Sequence, residues 1–269
     1  MITHIFSDLD GTLLNETGDV TETNAAMIIN SGIPFSLVSA RTPNDMAPIV
    51  EKLQLNSPQV AFNGGLIYRN ESGKRVIISE EFIEWEMAQK IITLIQTYYP
   101  SLSFSFYDDD NWYTCKIDEG IKREESIGSQ IPQVVEREVF FSQDPRKLFK
   151  IMLWIFDAEV MEEVKEFFAK LEIEELAFTQ SSPYTLEITN IKAQKSKGID
   201  YILSHYDLDK EHVAAFGDGH NDISMLEKVG HPVVMENASD EVKAYGRYIT
   251  KTNLEDGVGY GIETYFLKK

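Results

Sequence analysis

Apolar and polar positions follow two different rhythms along this chain. Residues 2–7 (ITHIFS) are apolar and β-branched and stop at Asp8-Leu9-Asp10-Gly11, which predicts a buried strand ending in a turn. Ala25, Met27, Ile28 and Ile29 fall at helical spacing, and Gly32 can close that helix as a C-cap. A short strand at 33–39, a helix around 45–53 and a third strand near 60–62 continue the pattern. Strand and helix alternate here as βαβ units of a parallel sheet require.

The rhythm changes after about residue 80. Residues 84–99 predict one amphipathic helix, and 102–107, 112–116, 134–141 and 148–156 alternate as strands do. A helix at 158–171 and a strand-like piece around 184–188 complete this region, and two helices over an antiparallel sheet would make a separate α+β domain. The first rhythm returns near Lys195, with a helix to about 206, a strand at 212–216, a helix at 222–229, a strand at 232–235, a helix at 240–245 and a strand at 248–250. The expected fold is α/β: a Rossmann-like, doubly wound parallel-sheet core from 1–80 and 190–269, interrupted by an α+β domain inserted at 81–189. There is no internal repeat and no low-complexity linker.

Composition narrows the function. With 269 residues, 43% hydrophobic and 26% charged, the chain has ample material for a buried core. Lys and Arg number 25 against 44 Asp and Glu, a formal charge of −19, which argues against binding nucleic acid or anionic lipid. The single cysteine, Cys115, makes neither an internal disulfide nor a thiolate metal cage. No apolar run approaches the roughly 20 residues of a membrane helix. The opening MITHIFSDLDGT has no basic stretch and does not read as a secretory signal, so a soluble protein of the cytoplasm is expected.

Two acidic turns carry the candidate chemistry. Asp8-Leu9-Asp10-Gly11-Thr12 sits where the first strand ends, the edge at which parallel sheets bind ligands. Side chains two apart on extended chain point the same way, so Asp8 and Asp10 can converge. Close carboxylates repel unless a cation or shared proton compensates, and Gly11 lets the backbone turn to present N–H groups to an anion. Gly217-Asp218-Gly219-His220-Asn221-Asp222 ends a second apolar strand. Alone, either turn caps a helix; together they make a hard-oxygen site suited to Mg²⁺. Ser39-Ala40-Arg41 ends the second strand at the same edge, where a hydroxyl and backbone N–H groups can hold a phosphoryl oxygen. Lys195-Ser196-Lys197-Gly198 opens a helix, and a lysine there can neutralise phosphate.

The order DLDGT, strand-end serine, lysine, GDGHND resembles the haloacid dehalogenase superfamily of phosphohydrolases. The insertion between the serine and lysine motifs is similar to the α/β cap of its Cof-type members, as are Asn63-Gly64-Gly65 and Asp256-Gly257-Val258. The resemblance implies a Mg²⁺-dependent phosphatase of a small phosphorylated metabolite, sugar phosphates first, with pyridoxal phosphate or flavin mononucleotide behind. A phosphomutase or a catalytically idle metabolite-binding protein are the competing readings, and a monomer or weak homo-oligomer is expected. It implies Asp8 as nucleophile, Asp10 as general acid and base, and Mg²⁺ held by Asp8, the Asp10 carbonyl and Asp218, with Asp222 joining the metal set or orienting Lys195. Ser39, Lys195 and Asn221 would hold the phosphoryl oxygens, helped by Leu9, Gly11, Thr12, Ala40, Arg41 and Asn63. The family motif often reads lysine-glycine, which would select Lys197-Gly198, whereas the buried position four residues on, Ile199, aligns Lys195. Alanine at position 40, commonly glycine in the pattern, keeps the backbone N–H.

Other features carry less. Asp108-Asp109-Asp110-Asn111 lacks the spacing of a calcium loop. His4, His205, His212, His220 and His231 have no HExxH or CxxC partner for zinc. Neither a GxSxG elbow nor a GxxxxGK[ST] loop occurs. Trp85, Trp112 and Trp154 all lie in the insertion and are read as its core.

Overall fold

The computed structural model describes residues 1–128 and 130–267. The chain opens with strand β1 (His4–Ser7), helix α1 (Glu22–Ser31), β2 (Phe35–Leu37), α2 (Pro43–Lys52) and β3 (Gln59–Ala61). Thr21 caps α1 by accepting from the Asn24 N–H at 3.0 Å, and Gly32 ends it in the left-handed region, φ 64°. A hairpin follows, β4 (Leu66–Glu71) and β5 (Lys74–Glu80). Its two-residue turn, Ser72-Gly73, holds positive φ at both positions, as a tight antiparallel hairpin requires.

Next come α3 (Trp85–Tyr98), β6 (Ser103–Tyr107), β7 (Trp112–Thr114), α4 (Glu119–Ile127), β8 (Gln133–Val134), α5 (Arg137–Phe141), β9 (Lys150–Trp154), α6 (Ala158–Ala169), β10 (Leu176–Ser182) and β11 (Thr185–Asn190). The chain then forms α7 (Lys195–His205), β12 (Val213–Gly217), α8 (Ile223–Leu226), β13 (His231–Val234), α9 (Asp240–Lys243), β14 (Tyr248–Ile249) and α10 (Gly257–Gly261).

These elements divide into two compact units, residues 1–41, 46–80 and 194–269 in one, and 42–45 with 81–193 in the other. In the first, β14-β13-β12-β1-β2 form a parallel sheet, and a parallel bridge from Val38 to Val60 leads on to β3 and the β4–β5 hairpin. Phe6, Val38, Val60, Ile199, Ile202, Val213, Ala215, Met225 and Val234 pack its core. Each large side chain so buried contributes about 1.5–3 kcal/mol. The centre of the sheet, β1 beside β12, sets Ser7 opposite Phe216, and the Asp8 N–H donates to the Phe216 carbonyl at 3.0 Å. Both acidic turns therefore leave the sheet at one level.

The second unit is a six-stranded sheet, β10-β11-β9-β6-β7-β8, with Phe104, Phe106, Ile151, Leu153, Leu186 and Ile188 facing α3 and α6 through Ile91, Ile95, Val164 and Phe168. It departs from the expectation at several points, β10 among them. Residues 134–141 are not one strand: β8 is two residues long and Arg137–Phe141 is helical, burying the neighbours Phe140 and Phe141 together, which a strand cannot do on one face. Four helices rather than two are described here, and β8 pairs with β7 in parallel. The buried Glu124 on α4 accepts from Ser105 Oγ at 3.0 Å, Trp154 Nε1 at 2.9 Å and the Tyr107 hydroxyl. No helix among the described residues is long and apolar enough to cross a membrane.

Candidate active site

The turn after β1 is drawn tight by one carbonyl: the N–H groups of Thr12, Leu13 and Leu14 all donate to Leu9 O, at 3.2, 2.9 and 2.9 Å. Leu9 itself is buried and anchors the turn in the core. Gly11 holds φ +79°, and a Cβ there would sit 2.3 Å from Asp218 Oδ2, so only glycine lets the two acidic turns meet this closely. Thr12 Oγ1 donates to Asp218 Oδ1 at 2.7 Å, which spends its hydroxyl on positioning Asp218.

Lys195, on the first turn of α7, is buried and joins the turns. Its ammonium donates to Asp8 Oδ1 at 2.5 Å and to Asp222 Oδ1 at 2.7 Å. The other Asp222 oxygen accepts from the backbone N–H groups of Asp218 and Gly219, at 3.0 and 2.9 Å. Gly217 is needed beside it, since a Cβ there would lie 2.6 Å from Asp222 Cβ. One oxygen from each of Asp8, Asp218 and Asp222 lies within 4.8 Å of the others.

Three carboxylates gather beside one ammonium that bonds two of them, and the electrostatics follow from that excess. Burial pushes the Asp8 carboxyl well above its ordinary value, Asp222 adds to this, and Lys195 opposes it. Burial likewise pushes Asp218 up to about 6, against the Thr12 hydrogen bond. For Lys195 burial alone would favour the neutral amine, but Asp222 and Asp8 outweigh it and hold the ammonium charged. A divalent cation would remove the surplus negative charge.

Asp10 does not join this cluster. Its side chain is 62% exposed and is gripped by Arg41, with Nε 2.9 Å from Oδ2 and Nη2 2.6 Å from Oδ1. Ser39 is buried at the end of β2, and its Oγ accepts from the Arg41 N–H at 3.1 Å, with Ala40 between them. Asn63 holds φ 56° and donates its N–H to Ser39 O at 2.8 Å, while its Oδ1 is buried without a partner among the described residues. Asn221 is exposed on the single turn His220–Asp222, outside the Lys195 contacts. Lys197 is exposed on the face of α7 away from the carboxylates that Lys195 meets. Sequence reasoning missed Asn237, whose Nδ2 donates to Gly11 O at 2.8 Å and whose Oδ1 accepts from the Asn253 N–H at 3.1 Å. The signal was Asn237 three residues past a strand at the same sheet edge, where a short amide can tie down a turn.

A model of the haloacid dehalogenase-like hydrolases matches residues 5–262. This chain belongs to that family. As a haloacid dehalogenase-like hydrolase it is an enzyme, and phosphoric monoester hydrolysis is the chemistry consistent with it. It is 27% identical to the 5-amino-6-(5-phospho-D-ribitylamino)uracil phosphatase YwtE of Bacillus subtilis, over 95% of each chain. A haloacid dehalogenase-like hydrolase from Bacteroides thetaiotaomicron superimposes with a TM-score of 0.89 at 27% identity, over 99% of this chain and 100% of that one. TM0651 from Thermotoga maritima does so with a TM-score of 0.85 at 29% identity, over 98% and 97%.

Proposed function

We propose that this hydrolase is a Mg²⁺-dependent phosphatase that transfers the phosphoryl group of a small phosphorylated metabolite to Asp8 and then to water. The observation that supports this most is the buried junction of Asp8, Lys195 and Asp222 with Asp218 beside it. The hard-oxygen donors and their uncompensated charge fit Mg²⁺, with Asp8 and Asp218 of the cluster as the residues that would hold it, joined by the Asp10 carbonyl that the family resemblance implies. Bound there, the ion would neutralise and orient the phosphoryl group. Asp222 has both oxygens engaged by Lys195 and two N–H groups, which favours an orienting role over direct ligation.

The chain's own residues then divide the work. A carboxylate oxygen of Asp8 attacks phosphorus while the bond to the leaving oxygen breaks, its electron pair staying with that oxygen, which takes a proton from the Asp10 carboxyl. Water next attacks the aspartyl-phosphate, gives its proton to Asp10, and the phosphorus bond to Asp8 breaks with the pair returning to the carboxylate. Lys195, Ser39 and Asn63 supply charge and polar contacts to the phosphoryl oxygens. Sugar and polyol phosphates are the first substrate class, in keeping with a relative named for a phosphoribitylamino substrate.

The test is hydrolysis of p-nitrophenyl phosphate with Mg²⁺ and with chelator. Activity should need the cation, release inorganic phosphate and alcohol in equal amounts, and fall at least about 10³-fold in Asp8→Asn. An inactive wild type, or an Asp8→Asn variant of undiminished turnover, refutes the proposal. Phosphate retained and returned to sugar would mark a mutase instead.

A further inference from the structure

Resting on the phosphatase reading above, we infer that Arg41 serves Asp10 and not the phosphoryl group: its guanidinium is a fork that positions the carboxyl exchanging a proton with the leaving oxygen. Both N–H groups on one edge of the guanidinium, Nε and Nη2, are committed to the two Asp10 oxygens, at 2.9 and 2.6 Å. This is the planar bidentate geometry that an ammonium cannot reproduce. Among the described residues no other hydrogen bond reaches the Asp10 carboxylate, so the fork alone orients it.

The two partners differ in how firmly they are held. The Arg41 side chain is 20% exposed against 62% for Asp10. The Arg41 N–H is tied to Ser39 Oγ at 3.1 Å, and its carbonyl accepts from the Phe62 N–H at 3.1 Å. Phe62 and Asn63, at φ 50° and 56°, adopt a backbone that residues other than glycine rarely hold, and the turn they make faces Ser39 and Arg41. A rigid loop thus carries the arginine, and the arginine carries an otherwise unrestrained carboxyl. The fork uses one lone pair on each oxygen and leaves a second, so Asp10 can give a proton to the departing oxygen and take one from water while still gripped. Arg41 is therefore a positioning residue, and the phosphate role expected for it passes to Lys195 and the strand-end groups.

The experiment exploits the leaving group. An alkyl alcohol needs a proton as it departs, whereas p-nitrophenolate does not, so losing the fork should damage kcat/KM selectively. In Arg41→Ala, kcat/KM should fall about 10²-fold for the sugar or polyol phosphate that wild type hydrolyses fastest, the scale of a misplaced catalytic group. The fall on p-nitrophenyl phosphate should be smaller by at least about tenfold, since that leaving group does not use the general acid. Arg41→Lys, which keeps the charge but not the fork, should rescue little. In an Asp10→Asn background the Arg41→Ala change should add almost nothing. Inhibition by inorganic phosphate should persist in Arg41→Ala. Equal losses on both esters together with weakened phosphate inhibition, or full rescue by Arg41→Lys, overturn the inference and return Arg41 to the phosphoryl oxygens. A wild type inactive on both esters overturns the phosphatase reading instead.

Discussion

Replacing Lys195 by alanine leaves three buried or part-buried carboxylates with no cation between them. In the native site its ammonium lies 2.5 Å from Asp8 and 2.7 Å from Asp222, and the lysine and Asp222 side chains are each 1% exposed. Breaking a buried pair by removing one partner costs about 3–5 kcal/mol, because the desolvated charge that remains is uncompensated. At roughly 2–4 °C per kcal/mol for a chain of this order, the melting temperature should drop roughly 6–20 °C. The loss should also depend on pH. The Asp8 carboxyl is already raised above its ordinary value by burial, and without the ammonium it rises further. A folded-state value above the unfolded one means that the folded variant binds the extra proton, so its stability falls as pH rises through that window. The difference between wild type and Lys195→Ala should therefore be larger at pH 8 than at pH 5. Urea unfolding in chelator, followed by circular dichroism at both pH values, reads it directly. Lys197 is exposed on the same helix, and Lys197→Ala should change stability by less than about 0.5 kcal/mol and turnover far less than Lys195→Ala. A Lys195→Ala loss below about 1 kcal/mol, or one that grows toward pH 5, would show that the buried junction does not carry the charge assigned to it.

Asp218 yields a second dependence. Its carboxyl is pushed up to about 6 from an ordinary 3.8 in the cation-free protein, so folding loses about 2–3 kcal/mol as pH rises through that interval. Adding MgCl₂ should accordingly raise the melting temperature more at pH 7.5 than at pH 5; equal increments at the two pH values would contradict a cation beside Asp218. In the second unit, Glu124→Gln puts an amide N–H₂ in place of one of the two carboxylate oxygens that accept from Tyr107, Ser105 and Trp154, and leaves a single acceptor for the three. The urea midpoint of that unit should fall by the equivalent of about 2–3 kcal/mol, and an unchanged midpoint would remove Glu124 as its buried hub.

What was legible in the chain was whatever local chemistry decides by itself. Gly32 closes α1 because only a residue at ease with positive φ can end a helix that way. The two acidic turns were visible because each follows an apolar strand, and Lys195 because a buried residue comes one helical turn later. Residues 134–141 misled, since Val134, Val135, Val139, Phe140 and Phe141 satisfy neither period cleanly. The β4–β5 hairpin was overlooked although Ser72-Gly73 between two β-rich runs marks it. The destination of Asp10 was invisible for a different reason. Period-two geometry placed it beside Asp8, but Gly11 bends the chain at that point and a guanidinium 31 residues further on captures the carboxylate. Long-range pairings of that kind are decided by tertiary packing, and a single sequence does not display them.

The seating of α7 has an evolutionary consequence. Gly64, at φ +102°, lies so close to Gln194 that a Cβ would be 2.3 Å from its carbonyl oxygen, and a Cβ on Gly198 would be 2.6 Å from Val60 Cγ1. These two bare backbone seats pin the helix bearing Lys195 to the end of β3. Every residue of that anchorage, Val60, Gly64, Gln194 and Gly198, belongs to the same compact unit, which leaves out residues 81–193. Lineages could lengthen, shorten or exchange that whole excursion while the lysine kept its address.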